Sequence, residues 1–201
     1  SDLESFIEVN RSIIAVHVAI SRRFLESLGE PDVVLVSFSG GKDSLVTLDL
    51  ALKHYGRDVV RAVYVDTGVD FPQTAEYVDR VESELGVAVE RVRVPVKEML
   101  SVKGLPSKTN RWCTLLKTQG FKQVLEKYRE KYRKVLVLVG DRDAESEASA
   151  RKPPVRKRKH YLEAAPIKQW STIHVQLYTW THKLPENPLY SQGFYRLGCY
   201  I

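Results

Sequence analysis

The stretch Ser39-Gly40-Gly41-Lys42-Asp43-Ser44 concentrates more chemistry than any other six residues of this chain. It follows the apolar run Val33-Val34-Leu35-Val36-Ser37-Phe38 and precedes the apolar-periodic stretch Leu45 to Leu50, so a strand, a glycine turn and a helix start meet there. Two adjacent glycines let the backbone turn tightly and present its N–H groups to an anion, and the following helix aims its positive dipole end at the same point. Lys42 adds a point charge, and Ser37, Ser39 and Ser44 add hydroxyl donors. That combination holds an oligophosphate. A Walker loop needs four residues between its glycines and then Gly-Lys followed by Ser or Thr; neither the spacing nor the ending is present, which disfavours ordinary γ-phosphate chemistry.

Further constellations stand after other apolar runs. Asp66-Thr67-Gly68, with Val65 before it, offers a carboxylate, a hydroxyl and backbone groups to a ribose, an adenine edge or a phosphate-held metal; its plain alternative is a turn capping the next helix. Arg111, Trp112, Cys113 and Lys117 place two cations on neighbouring turns near a helix N-terminus, a pattern suited to sulfate or phosphate, with Trp112 favouring packing. Cys113 is either an acidified thiol or a small buried residue. Gly140-Asp141-Arg142-Asp143, with Glu145, Ser146 and Arg151, lets the chain approach a ligand at Gly140 and puts Arg142 in position to clamp an α phosphate or offset developing charge. His174, Tyr178 and His182 recur every four residues, but without an acidic HExxH pattern they read as ordinary helix-face residues rather than metal ligands.

The elements that must position these residues follow from periodicity. Leu3 to Leu28 reads as a long helix ended by Gly29 and Pro31, and Val59 to Val65 as a second strand. Pro72 to Leu85 starts with proline and stops at Gly86, a helix signature. Val87 to Val94 alternates as a third strand, Trp112 to Tyr132 is helical, Val135 to Val139 is a fully apolar fourth strand, and Tyr161 to Ile167 suits a fifth. Strands alternating with helices predict an α/β fold whose parallel sheet is covered on both faces. Ligands of such sheets bind beyond the strands' carboxyl ends, which selects 37–44, 66–68, the region after Val94 and 140–142 for one site.

At 201 residues the chain suits a single domain, residues 1–201, with an N-terminal helix over 1–30 and an irregular Pro-, Gly- and Tyr-rich tail over 184–201. No apolar stretch is long enough to span a membrane and no signal-peptide order is seen, so a soluble cytoplasmic protein is expected. Only Cys113 and Cys199 occur, which excludes a disulfide framework and a four-Cys metal site. The net charge of +6 has an address: Arg151, Lys152, Arg156, Lys157, Arg158 and Lys159 lie in a stretch with no acid, 151–160, while the other 25 basic residues face 25 acidic ones. That segment, built around Pro153-Pro154, is expected to be an exposed loop, whether as a lid over an anionic nucleotide, a patch for RNA or a solvated surface. Oligomeric state is not legible.

Taken together, SFSGGKDS at 37–44, YVDTGVDFPQT at 64–74, RWCTLLK at 111–117, GDRDAES at 140–146, PIKQW at 166–170 and LPENPLYSQGFYRLGC at 184–199 resemble the phosphoadenosine-phosphosulfate reductase family of the PP-loop superfamily, which also includes the small subunit of ATP sulfurylase and FAD synthetase. The resemblance implies a five-stranded parallel sheet and a nucleotide ligand, ATP or a 3′-phosphorylated adenylyl nucleotide, with Mg2+ accompanying it and an acceptor of unknown identity. It also implies that the loop holds the β and γ phosphates as leaving pyrophosphate, with Lys42, Asp43 and Arg142 as catalytic candidates. Two departures matter. Reductases of the family typically carry a degraded phosphate loop, whereas this one is intact, which favours ATP. They also use a C-terminal cysteine or a cluster held by paired cysteines; here Cys199 stands two residues from the end and Cys113 has no adjacent partner. A start at Ser1 rather than Met leaves open that the chain is part of a longer protein.

Overall fold

The structure is a computed structural model that describes residues 1–107, 109–195 and 197. Helix α1 (Asp2–Ser27) leads into strand β1 (Val33–Ser37), α2 (Lys42–Tyr55), β2 (Val60–Asp66), α3 (Pro72–Leu85) and β3 (Ala88–Arg93). Then come α4 (Val96–Lys103), α5 (Trp112–Lys131), β4 (Val135–Leu138), the short α6 (Glu147–Ala150), β5 (Val155–Lys157), β6 (Leu162–Ala164) and α7 (Thr172–Thr181). The sheet order is β3-β2-β1-β4-β6-β5. All pairings are parallel except β5 against β6, which is antiparallel.

The apolar runs do what their composition dictates. Val33 to Val36 and Val135 to Leu138 are buried throughout, as central strands covered on two faces must be. One face packs α1, α2, α3 and α7 over Val34, Val36, Ala62 and Leu136; the other packs α5 over Val33, Leu35, Val63 and Val137. Chain direction reverses between β1 and β4: the chain leaves β1 toward β2 and β3, then returns to the far side of β1 for β4. Crevices at such a reversal are where α/β sheets bind ligands.

The sheet has six strands, not five. The extra one, β5, lies inside the basic 151–160 segment that composition alone marks as an exposed loop. At the sheet edge acids from elsewhere pair with three of the segment's cations: Arg156 meets Asp141 at 2.9 Å and Glu163 at 3.1 Å, Arg158 meets Glu163 at 3.1 Å, and Lys152 stands 3.7 Å from Asp141. The Arg156 side chain is only 12% exposed. Helix α4 fills the region after Val94 that periodicity leaves unassigned. Among the described residues no helix is long and apolar enough to cross a membrane.

Candidate functional site

The glycine loop closes between β1 and α2 as a braced turn. Gly40 adopts φ +81°, the left-handed region open to glycine, and a Cβ there would stand 2.8 Å from Thr74 Cγ2. Ser44 is the brace: its hydroxyl donates to the Gly41 carbonyl at 3.1 Å and accepts from the Ser39 N–H at 3.2 Å. Lys42, Asp43 and Ser44 form the first turn of α2, whose N–H groups have no partner inside the helix. Ser39, Gly41, Lys42, Asp43 and Ser44 line a recess of about 210 Å³ closed by Glu145 and Tyr190. Gly140, at the end of β4, lets this turn sit close; a Cβ there would lie 3.0 Å from the Asp43 carbonyl carbon and 3.1 Å from the Ser44 nitrogen.

A larger cavity of about 650 Å³ opens beside the recess, sharing Ser39 and Leu197 with it. Its floor is apolar, made of Phe38, Val63, Val65, Val137 and Val139 from three neighbouring strand ends, and its rim carries Lys117 and Lys122 of α5, Arg158 of the hairpin, Asp70 and Glu163. A flat apolar ring fits the floor, and the cationic rim suits a ligand carrying negative charge.

Arg142 is placed differently from the clamp that its position after β4 suggests. It is 3% exposed, and all of its guanidinium nitrogens contact protein: Nε stands 3.0 Å from Asp43 Oδ1, Nη1 donates to the Trp170 carbonyl at 3.3 Å and Nη2 to Thr172 Oγ1 at 3.5 Å. Nε and Oδ1 approach without the alignment of a hydrogen bond, so their attraction is that of an ion pair. Arg142 therefore holds Asp43 and the start of α2 from beneath. Asp143 is tied to the buried Lys168 ammonium, which also donates to the Ser149 carbonyl.

The other sequence candidates divide. Ser37, Ser39, Val65 and Lys117 line the large cavity. Asp66 and Thr67 do not: Asp66 Oδ1 accepts from the Gly68 N–H at 2.8 Å, and the buried Thr67 hydroxyl donates to Asp70 Oδ2 at 3.1 Å. The pair builds the turn, and Asp70 is the carboxylate that reaches the cavity. Trp112 is buried with Val69, Val94 and Val96, and Cys113 is partly buried against the same cluster, so both pack at the start of α5, where Arg111 is exposed. Cys199 lies outside the described residues. Of the helix-face residues, Tyr178 is buried with its hydroxyl on Asp49, the His174 ring lies tilted against His17 of α1 with centroids 3.7 Å apart, and His182 stacks on Tyr178 at 3.9 Å. Among the described residues no group of three His, Cys, Asp or Glu side chains is placed to hold a metal.

The tail stands among the segments that carry the resemblance, but no spacing in the sequence puts it against the glycine loop. Asn187, 1% exposed, donates to the Gly40 carbonyl at 3.2 Å and to Thr74 Oγ1 at 3.3 Å, and Tyr77 donates to the Pro185 carbonyl, so the tail is pinned across the loop. The Tyr190 hydroxyl then accepts from the Lys42 backbone N–H at 2.9 Å, and Lys42 Nζ stands 5.5 Å from the ring centres of Tyr190 and Tyr195. Burial pushes the Tyr190 phenol up to about 12, so it stays neutral at physiological pH and keeps a proton to donate.

A mostly parallel α/β sheet with a glycine turn at its reversal point defines the class. Residues 33–201 match the phosphoadenosine phosphosulfate reductase domain, and the chain belongs to that family. An uncharacterized protein of Methanocaldococcus jannaschii is 39% identical over 173 residues, 84% of this chain but 35% of its own length, so the chain spans about a third of that relative. Among solved structures, the phosphoadenylyl-sulfate reductase of Candida auris, in a phosphate complex, superposes with a TM-score of 0.68 at 20% identity, covering 90% of this chain and 88% of its own. The FMN adenylyltransferase of Candida glabrata, in complex with FMN and an ATP analogue, superposes with a TM-score of 0.69 at 14% identity, covering 94% and 64%. At these identities the two likenesses speak for the fold.

Proposed function

We propose that the chain is an ATP-binding enzyme that transfers an adenylyl group to an acceptor and releases pyrophosphate. The observation that carries this reading is the undegraded, braced SGGKDS turn, opening on a recess of about 210 Å³ that adjoins an apolar-floored cavity. The α2 amides and Lys42 would hold the terminal phosphates, and Phe38, Val65 and Val139 would receive the base. The acceptor oxygen forms its bond to the α phosphorus as the bond to the β-phosphate oxygen breaks; pyrophosphate leaves into the loop and the acceptor proton passes to solvent. Rate enhancement comes from positioning and from preorganised positive charge, not from a protein nucleophile. Arg142 contributes as a positioning residue, by fixing Asp43 and the first turn of α2.

Magnesium would accompany a triphosphate, but the protein supplies it few ligands. The carboxylates at the recess are Asp43 and Glu145, and Asp43 already faces Arg142. Coordination would fall mainly to phosphate oxygens and water, as is usual for this ion.

The test incubates the protein with ATP, magnesium and an acceptor panel of sulfate, flavins, nucleobases and peptides, and measures pyrophosphate and adenylated product by mass spectrometry. Acceptor-dependent pyrophosphate release, lost in Lys42→Ala, is the expected outcome. Reduction of phosphoadenylyl sulfate that depends on Cys199, with no pyrophosphate from ATP, would replace this reading by a sulfonucleotide reductase.

A further inference from the structure

Asp70 has more acceptor capacity than its turn consumes. Three donors converge on one of its oxygens: the Tyr64 hydroxyl at 3.1 Å, the Thr67 hydroxyl at 3.1 Å and the Thr67 N–H at 3.4 Å all reach Oδ2. Oδ1 has no partner among the described residues, and Asp70 forms no ion pair among them, although it lines the cavity of about 650 Å³. Closing a turn of this kind takes one side-chain oxygen, which asparagine supplies as well as aspartate. The second oxygen and the negative charge are left for the cavity, and the bonds on the first oxygen fix where they stand.

The rest of the rim has the opposite character. Lys117 and Lys122 of α5 form no ion pair among the described residues, and the other carboxylate, Glu163, is already shared between Arg156 and Arg158. Without Asp70 such a rim would suit a further phosphate on the bound nucleotide. We infer that Asp70 sets the nucleotide specificity of the cavity: its second oxygen accepts from a ribose hydroxyl of ATP, and its charge rejects a nucleotide whose ribose carries a phosphate. The inference rests on the proposed function in one respect, that the base lies on the apolar floor of Phe38, Val63, Val65, Val137 and Val139; the sugar then stands at the polar rim. A hydroxyl has a proton to give to Oδ1, whereas a phosphate at neutral pH brings like charge and only acceptors. Dinucleotide-binding sheets use the same logic, with an acidic residue beyond the phosphate loop for a ribose hydroxyl and an arginine for a ribose phosphate. Asp70 has the matching place in the chain, one helix and one strand after the glycine loop.

The test is calorimetric titration of the 201-residue protein and of Asp70→Asn with ATP, its 3′-phosphorylated counterpart, 2′-deoxy-ATP, 3′-deoxy-ATP and ITP. The asparagine keeps an oxygen for Tyr64 and Thr67 and turns its amide nitrogen, a donor, to the cavity, so its melting temperature should stay near the parent's; Asp70→Ala removes the shared acceptor and should lower it. The parent should bind ATP at least about tenfold more tightly than the 3′-phosphorylated form and lose about three- to tenfold on one of the deoxy analogues. In Asp70→Asn both differences should shrink to about twofold or less, the 3′-phosphorylated form gaining and ATP losing, and ITP should respond to the substitution as ATP does. A variant that binds ATP with the parent's discrimination unchanged overturns the inference and leaves the proposed function standing. A parent that prefers the 3′-phosphorylated nucleotide also overturns it, as does a loss confined to adenine nucleotides with ITP indifferent to the substitution. A parent that binds none of the five removes the nucleotide reading of the cavity, and the inference with it.

Discussion

Replacing Arg142 by methionine separates two accounts of that residue, because a clamp on the ligand and a support for the loop fail in different measurements. Arg142 and Asp43 side chains are 4% and 15% exposed, so truncating the arginine leaves a carboxylate with little water and no counter-charge. Breaking a buried pair costs about 3–5 kcal/mol; the residual exposure of Asp43 and the poor Nε alignment bring the expectation here to about 2–4 kcal/mol. With a urea dependence of about 2 kcal/mol per molar, the unfolding midpoint should fall by about 1–2 M. Adding Asp43→Asn removes the stranded charge, so the double variant should be more stable than Arg142→Met alone by about 1–3 kcal/mol. Urea titration of the four proteins followed by circular dichroism reads this cycle, and calorimetry with ATP reads binding in parallel. If Arg142→Met loses less than about 1 kcal/mol of stability while ATP affinity drops more than about tenfold, the guanidinium serves the ligand directly and the support argument fails.

Tyr190→Phe removes the hydroxyl that accepts from the Lys42 N–H, a group a phosphate oxygen must otherwise displace. Pyrophosphate should then bind about two- to tenfold more tightly by calorimetry, and weaker binding would mean that the phenol donates to the ligand instead. Gly140→Ala places a methyl 3.0 Å from the Asp43 backbone, which cannot yield without shifting the start of α2. The expected result is about tenfold weaker nucleotide binding with about 1–3 kcal/mol lost in stability, and unchanged binding would show that the loop tolerates the shift. Burial first, and His17 second, lower the His174 pKa below its ordinary 6.5. A depressed histidine stabilises the fold fully above the unfolded value and less as pH falls through 6.5 toward the folded value, because the unfolded chain takes the proton more readily. Melting temperature should therefore drop between about pH 7.5 and pH 5.5, and His174→Gln should flatten that drop.

Local pattern in the chain reaches as far as local physics does. Val33–Ser37 and Val135–Leu138 are continuous apolar runs, Pro72 and Gly86 bracket α3, and each of these elements forms where periodicity places it. The sheet-end rule then brings 37–44 and Gly140 into contact. The basic 151–160 segment is mostly exposed as composition predicts, but its short strand is not legible because charge count is local while charge pairing is not: Asp141 and Glu163, which pair with Lys152, Arg156 and Arg158, precede and follow the run. Asp66 and Thr67 carry both readings offered by the sequence, and the structure shows the turn: its own hydrogen bonds use Asp66 Oδ1 and the Thr67 hydroxyl.

Arg142 and the tail expose the deeper cause. The residues that settle the arginine's direction, Trp170 and Thr172, lie 28 and 30 positions away, and Tyr190 reaches Lys42 across 148. No spacing rule couples such positions; only the assembled sheet does, by bringing the end of β4, the start of α7 and the tail to the one crevice where the chain reverses. The consequence is functional. Lys42 stands beside two aromatic rings, and its helix start is braced by the Arg142–Asp43 pair, contacts that would hold the loop in place for the anion proposed for it. A preorganised cationic turn spends little of its interaction energy on its own reorganisation when charge develops on a leaving group, which is the condition under which electrostatic catalysis is strongest.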